Sequence, residues 1–365
     1  MSRLDELIAE LCPDGVEYRK LKDVTEMQRG TSLTKKNATE GIYPVISGGT
    51  EPAFYCDSYN RENETITVAG SGAGAGYVQY WNEPIFVCDA FSIKGKEDNL
   101  TKYIYYCLSN MQDKIFATKT GGGIPHVYIS SIENFVIPLP PLPVQQEIVR
   151  ILDNFTELTA ELTAELTARR KQYEYYRNEI MQLKHWHYRK TITEMSLGDI
   201  YDFQYGKGNV IPTNGGEYPV YGSNGIVGTH FEYNSEDAPV IGHIGAYAGI
   251  VNWGYGKHFV TYNGVICKLK NNSVHSRYAY YLLLLQDFRA QAKSGSQPFV
   301  SYEILKKPRV LIPPLEEQKR IVAILDRFDA LCNDLTTGLP AEIEARQKQY
   351  EYYRDKLLSF KEVTS

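Results

Sequence analysis

Residues 168–177 read Ala-Arg-Arg-Lys-Gln-Tyr-Glu-Tyr-Tyr-Arg, and residues 345–354 return that decapeptide with nine of ten positions unchanged. A chain that repeats itself folds as like units, so the repeat constrains every other reading. It extends well beyond the decapeptide. VIPLPPLPVQQEIVRILDNF (136–155) answers VLIPPLEEQKRIVAILDRF (310–328), with Ile151, Leu152 and Asp153 falling on Ile324, Leu325 and Asp326. Further back, Tyr43-Pro44-Val45 falls on Tyr218-Pro219-Val220, and Leu21 and Asp23 fall on Leu197 and Asp199. The offset stays between 173 and 177 residues, so each half is one complete copy.

Residues 144–184 have the spacing of one long helix. Ile148, Phe155, Leu162, Tyr176 and Leu183 fall on a seven-residue spacing broken only by Arg169, and Leu152, Leu158, Leu166, Tyr173 and Ile180 form a second seam. A stripe this wide needs an apolar partner along its length. The second copy offers one in Ile321, Leu325, Phe328, Leu331 and Leu335, then Tyr350, Tyr353, Leu357 and Phe360. Two long helices packed antiparallel are therefore expected, because a compact domain lies between them in sequence. About 40 residues make a rod of about 60 Å. The first rod contains TELTAELTAELTA (156–168), whose period of four keeps Leu158, Leu162 and Leu166 on one slowly drifting face. The second has LTTGLPAEIEA there, and Gly338 with Pro340 is expected to break or kink it.

The remaining segments are rich in Gly and Tyr. Strand-like runs stand at Thr65–Ala69, Tyr77–Tyr80, Pro239–His243 and Val265–Leu269, and one apolar helix is expected in each half, Thr101–Ala117 and Ser276–Ala292. The expected fold class is α/β (α+β). Two similar loop-rich domains, 1–143 and 186–314, are joined by long coiled-coil helices at 144–185 and 315–361 in a pseudo-twofold internal repeat.

Composition excludes several classes. With 365 residues, 43% of them hydrophobic, the chain can fill two domain cores. Its longest apolar run, near Tyr280–Leu285, is too short to span a bilayer, and MSRLDELIAEL is amphipathic rather than a signal region, so a cytoplasmic location is expected. Six cysteines stand far apart with no C-x-x-C pair, which argues against a zinc site and against a disulfide framework. The net charge of −5 is unfavourable for phosphate contact, but residues 169–190 hold seven Lys or Arg against two Glu. That concentration fits either a solvated helix face or a surface facing an anion or a partner.

Catalytic motifs are missing. GSGAGAG (70–76) lacks the third glycine of G-x-G-x-x-G and has no helix pattern after it, so a tight turn or close backbone approach is the better reading. GHIGAYAG (242–249) stands at the equivalent place with glycines but different spacing. No G-x-x-x-x-G-K-[ST] loop occurs, and LPPLP and IPPL lack the polar and aromatic ends of a base-holding Asn-Pro-Pro-Tyr motif. They read as extended proline punctuation before a helix. His185 and His187 have no third ligand nearby, and the carboxylates offer no acid/base pair. No catalytic, cofactor-binding or metal-binding residue is nominated.

The order of domain, I-P-L-P-P-L into a helix, domain, I-P-P-L-E-E-Q into a second helix resembles the specificity subunits of Type I restriction-modification systems over essentially the whole chain. The marks are Pro138-Leu139-Pro140-Pro141-Leu142 before Gln145-Gln146-Glu147-Ile148, then Pro313-Pro314-Leu315-Glu316-Glu317-Gln318, the KQYEYYR repeats and the Thr-Glu-Leu-Thr-Ala run. The resemblance implies a non-catalytic subunit that binds double-stranded DNA, each domain reading one half of a bipartite asymmetric site. It implies helices that set the spacer and dock two methyltransferase subunits, which carry S-adenosylmethionine, with restriction and translocase subunits joining them. Direct readout needs polar, basic or aromatic side chains on free loops. Candidates in the first domain are Lys35, Lys36, Arg61, Lys119, Thr120 and His126, and in the second Lys207, Asn224, Lys257, Lys293, Ser294, Ser296 and Gln297. Tyr173, Tyr175 and Tyr176, with Tyr350, Tyr352 and Tyr353, cover more than one helix face, so some are expected to pack between rods and others to meet a partner subunit. The alternatives are a coiled-coil adaptor with ligand-binding domains and a self-sufficient DNA enzyme.

Overall fold

The structure, a computed structural model, describes residues 2–96, 99–183, 191–293, 297–334 and 337–363. His185 and His187 lie outside them. The chain forms two compact units, Met1–Thr163 with Glu342–Ser365, and Ala164–Ala341. Both cuts fall within helices.

The first half runs α1 (Arg3–Leu11), β1 (Glu17–Lys20), α2 (Leu21–Val24), β2 (Thr25–Arg29), β3 (Tyr43–Ile46), β4 (Phe54–Cys56), β5 (Thr65–Ala69), β6 (Val78–Trp81), β7 (Phe86–Val87), β8 (Ala90–Gly95), α3 (Thr101–Asn110), α4 (Gln112–Phe116), α5 (Ile129–Ile132), β9 (Val136–Leu139) and α6 (Leu142–Met181). Three sheets form, ordered β2-β8-β5-β6, β4-β3-β7 and β1-β9, and only β3 with β7 is parallel. β5 is buried throughout, which is why its sequence, TITVA, shows no polar alternation. Its Thr67 hydroxyl accepts from Trp81 Nε1 at 2.8 Å. α3 lays Tyr103, Ile104 and Leu108 on this core, and the Tyr103 hydroxyl donates to the Pro138 carbonyl.

The second half runs β10 (Thr193–Ser196), α7 (Leu197–Ile200), β11 (Tyr201–Tyr205), β12 (Tyr218–Gly222), β13 (Gly225–His230), β14 (Ser235–Gly242), β15 (Val251–Val260), β16 (Gly264–Leu269), α8 (Ser276–Leu284), α9 (Phe288–Gln291), α10 (Tyr302–Lys306), β17 (Arg309–Ile312), α11 (Leu315–Asn333) and α12 (Leu339–Leu357). Its strands join in one six-stranded sheet, β11-β16-β14-β15-β12-β13, beside the β10-β17 pair. Antiparallel pairing dominates both units, so the class is α+β.

The proline motifs do punctuate. Each ends a short strand, β9 or β17, and the helix starts three residues later. A buried glutamine fixes each junction. Gln145 accepts from Leu100 N–H at 3.1 Å and donates to the Pro140 carbonyl at 2.8 Å, while Gln318 accepts from His275 N–H at 2.7 Å and donates to the Pro313 carbonyl at 2.8 Å. Leucine at either position leaves a half-buried donor and a buried acceptor unpaired. Gln145→Leu and Gln318→Leu are each expected to cost about 3 kcal/mol. Denaturant unfolding checks this, and a curve superimposable on the parent's would contradict it.

α6 is one 40-residue helix, about 60 Å long. From residue 153 to 172 none of its side chains is buried, and the division between units falls inside this stretch. Within the first unit Phe155 stacks on Tyr353 at 5.5 Å, and within the second Tyr176 tilts against Phe328 at 6.4 Å.

Three expectations on helices change. The C-terminal rod, expected over 315–361, is two helices: α11 ends at Asn333 and α12 starts at Leu339. Gly338 marks the break as expected, since a side chain there would meet the Ala330 carbonyl at 2.6 Å. The helix expected over Thr101–Ala117 divides at Met111, which leaves helical geometry at ψ 14. The helix expected over Ser276–Ala292 divides at Asp287, a left-handed residue (φ 38) whose carboxylate caps Ala290 N–H. None of the helices in the described residues is long and apolar enough to cross a membrane. Five of the cysteines are buried and Cys88 is half-buried; burial pushes the Cys107 thiol up to about 12.

Candidate functional site

The glycine run Gly70–Gly76 is the turn between β5 and β6, and it is bound to a second loop. Ser71 and Thr120 both bridge to His126 in the backbone, Gly72 N–H donates to the Pro125 carbonyl at 3.0 Å, and Val127 N–H donates to the Gly70 carbonyl at 3.0 Å. The loop 121–124 projects from this platform, exposed at every residue, with Gly121 at φ 106. The same construction recurs 173 positions later. Ile244 and Lys293 bridge to Phe299, Gly245 N–H donates to the Pro298 carbonyl at 2.8 Å, and Val300 N–H donates to the His243 carbonyl at 3.0 Å.

The spacing of the two glycine runs differs less than their letters suggest. Gly72 and Gly76 take φ 79 and 84, and Gly245 and Gly249 take φ 90 and 88. The two positions that need left-handed backbone keep a four-residue interval in both copies, so the sequence expectation of unlike spacing is corrected there.

In the first unit Lys119, Thr120 and His126 come together on this platform. Lys119 Nζ lies 4.1 Å from the Phe116 ring centre, and His126 stacks on Tyr128 at 5.8 Å. Lys35 and Lys36 are exposed on the turn between β2 and β3. Arg61 is placed differently: its guanidinium donates to Ser92 Oγ at 2.7 Å and to the Asn60 and Arg29 carbonyls at 2.6 and 3.0 Å. It ties β2 to β8 from within. Burial lowers its pKa from the ordinary value.

Arg61 thereby holds the end of β2, where Arg29 stands exposed. Arg29, Gly70, Asp89, His126 and Tyr128 line a cleft of about 180 Å³. Asp89 accepts from the Ser71 hydroxyl through one oxygen. Sequence reasoning passed over Arg29 and Asp89; the available signal was that Arg29 aligns with Tyr205, a charge against an aromatic ring on a shared strand end.

In the second unit Lys293 and Gln297 stand on the equivalent loop, both exposed, and Ser294 and Ser296 lie outside the described residues. Lys207 is exposed after β11, Asn224 is on the β12–β13 turn, and Lys257 on β15 places Nζ 4.8 Å from the Tyr233 ring centre. Where the first unit has Arg29 and His126, this one has Tyr205 and Phe299. Tyr205 stacks on Tyr302 at 4.2 Å and lies 4.3 Å from His243 and 5.8 Å from Tyr262.

The repeated tyrosines separate by face, alike in each unit. Tyr173 is buried and Tyr350 packs on the core, each with an arginine (Arg177, Arg354) 5.6 Å from the ring centre. Tyr175 and Tyr352 are 62% and 63% exposed, and Tyr176 and Tyr353 lie edge-on to them. Among the described residues no group of three His, Cys, Asp or Glu side chains could hold a metal ion.

The Type I restriction modification DNA specificity domain matches this chain twice, at residues 13–169 and 189–345. A type I restriction enzyme specificity subunit of Haemophilus influenzae is 31% identical over 94% of this chain and 96% of its own length. The EcoR124I/EcoR124II specificity subunit of Escherichia coli is 29% identical over 99% and 97%. The crystal structure of a Type I restriction-modification S subunit from M. genitalium shares the fold, with a TM-score of 0.67 at 22% identity over 94% of this chain and 96% of that one. Two domain matches in tandem and a full-length relative above 30% identity place this chain in the family of Type I restriction-modification DNA specificity subunits.

Proposed function

We propose that each unit reads one half of a bipartite, asymmetric DNA site and that the chain itself does no chemistry. The observation that carries this reading is the loop-on-turn platform, built twice from the same backbone hydrogen bonds and bearing unlike side chains. A shared frame with unlike readers reads unlike half-sites. Phosphate contacts fix register and base contacts supply specificity, so exposed Lys35, Lys36, Lys207, Lys257 and Lys293, with half-buried Lys119, serve position, and Thr120, His126, Asn224 and Gln297 stand near base edges. Ser294 and Ser296 belong to the same proposed loop. Arg61 acts as a strut beneath Arg29.

The spacer segments 144–185 and 315–361, the first carried by α6 and the second by α11 and α12, would run antiparallel as a coiled coil between domains 1–143 and 186–314 in a pseudo-twofold arrangement. The ring pairs Phe155 with Tyr353 and Tyr176 with Phe328 support that direction, because the earlier residue meets the later one. The rod would set the unread spacer and present equivalent docking faces to two methyltransferase subunits, which carry S-adenosylmethionine. Restriction and translocase subunits would join that core in the cytoplasm.

Exposed Tyr175 and Tyr352 are the natural docking anchors, since an aromatic that meets only its neighbouring ring and is otherwise open to solvent gains most from a partner. The double variant Tyr175→Ala, Tyr352→Ala is expected to fold normally and to lower methyltransferase association at least tenfold. Co-purification of the tagged chain with its methyltransferase measures this; undiminished recovery would contradict the docking face.

A further inference from the structure

We propose that Arg29 and Asp89 are specificity-determining residues of the first unit, reading together the major-groove edge of one base pair. The assignment rests on the DNA-reading function proposed above and names the chemistry of one of its sites.

The cleft is built for a ligand edge that both accepts and donates. Arg29 and Asp89 line it without forming an ion pair, and no described residue bonds the Arg29 guanidinium. Ser71 binds one oxygen of Asp89, which orients the carboxylate and leaves Oδ1 without a partner among the described residues. Arg61 holds the carbonyl of Arg29, and Ser92, which Arg61 also binds, donates to the carbonyl of Gln28 at 3.2 Å. The backbone beneath the free guanidinium is thus tied twice.

A guanidinium satisfies the acceptors of a purine edge, and a carboxylate can only accept, so it selects a base carrying an exocyclic amine. In the major groove a G·C pair offers guanine acceptors beside the cytosine amine, and an A·T pair offers the adenine acceptor beside its own amine. Asp89 rejects a thymine carbonyl or guanine O6 at its position, because two acceptors repel. The second unit cannot read this way. Tyr205 replaces Arg29, and the strand segment before β16 carries Tyr262 and Asn263 where the first unit has Asp89: the Asp89 carbonyl accepts from Gly70 N–H, and the Asn263 carbonyl accepts from His243 N–H. The two units therefore differ in kind at one equivalent position.

The test uses the assembled methyltransferase complex and duplexes carrying the parent site with each base pair substituted in turn. Asp89→Asn keeps an acceptor for Ser71 but turns a donor toward the base. It is expected to lose about tenfold or more of the discrimination at a single base pair. Arg29→Gln, at an exposed position, is expected to relax the same or the adjoining pair in the same half-site. The other half-site and the spacer stay as they were, which also reports an intact fold. Unchanged discrimination in both variants overturns the assignment. So does equal weakening on every duplex, which would make these residues phosphate contacts. If Asp89→Asn loses its fold, Arg29→Gln alone decides. A parent complex with no sequence preference removes the proposed function itself; a parent that keeps its bipartite preference while the variants match it removes only this assignment.

Discussion

Deleting one tetrad from α6, residues 160–163, is expected to shorten the unread spacer of the recognised DNA while leaving both half-sites unchanged. Four residues remove about 6 Å of helix, between one and two base pairs of rise. The cost to folding is small. The deleted residues 160–163 bury no side chain, the nearest core contacts in α6 being Phe155 before them and partly buried Leu166 after them, and the Thr156 and Thr159 hydroxyls bond only carbonyls one turn back in α6, at 3.0 and 2.9 Å. Four residues also turn the helix by about 40° beyond a full circle. Mapping methylated bases in cells carrying the variant reads the outcome, and the original spacer would refute the spacer role of the rod.

Arg277→Ala is expected to destabilise the second unit by about 3–4 kcal/mol, whereas Lys102→Ala costs the first unit about 1 kcal/mol or less. The two cations hold equivalent positions, each tying the apolar helix of its unit to the aspartate of the Ile-Leu-Asp repeat. Lys102 Nζ meets Asp153 at 2.8 Å with both side chains about one-third exposed. Arg277 is only 15% exposed; it donates twice to Asp326, at 2.8 and 3.1 Å, and lies 4.7, 4.8 and 5.3 Å from the ring centres of Trp253, Tyr280 and Tyr281. Truncating it empties an aromatic cage and takes from Asp326 and Asp329 the cation they share. Hydrogen exchange at α8 and α3 follows each unit separately. Equal losses in the two would show that burial does not govern the difference.

Much of this architecture was legible because it repeats. The offset of Ile151-Leu152-Asp153 onto Ile324-Leu325-Asp326 located both helix entries, and the tetrad run announced a continuous helix. Gly338 gave the break in the second rod. What stayed hidden was decided by tertiary contact. The divisions at Met111 and Asp287 interrupt runs whose composition is helical throughout, and a left-handed aspartate leaves no periodic trace. Arg61 looked like a free cation because it sits among polar residues; only strand pairing brought Ser92 and the Arg29 carbonyl to it. Arg29 and Asp89 were overlooked for the converse reason, standing at strand ends rather than on the glycine-bearing loops where readout was sought. The six-stranded sheet of the second unit against three smaller sheets in the first was likewise not foreseeable, since strand joining depends on loops the copies do not share.

The most direct test of the central claim is a genome-wide map of methylated bases made by this chain with its methyltransferase and by a chimera whose residues 1–143 come from a relative of different specificity. The account predicts an asymmetric motif of two short half-sites around a fixed unread spacer, with the chimera changing one half-site and preserving the other and the spacer. A motif that changes in both halves, a map with no sequence preference, or methylation by the chain alone would contradict it.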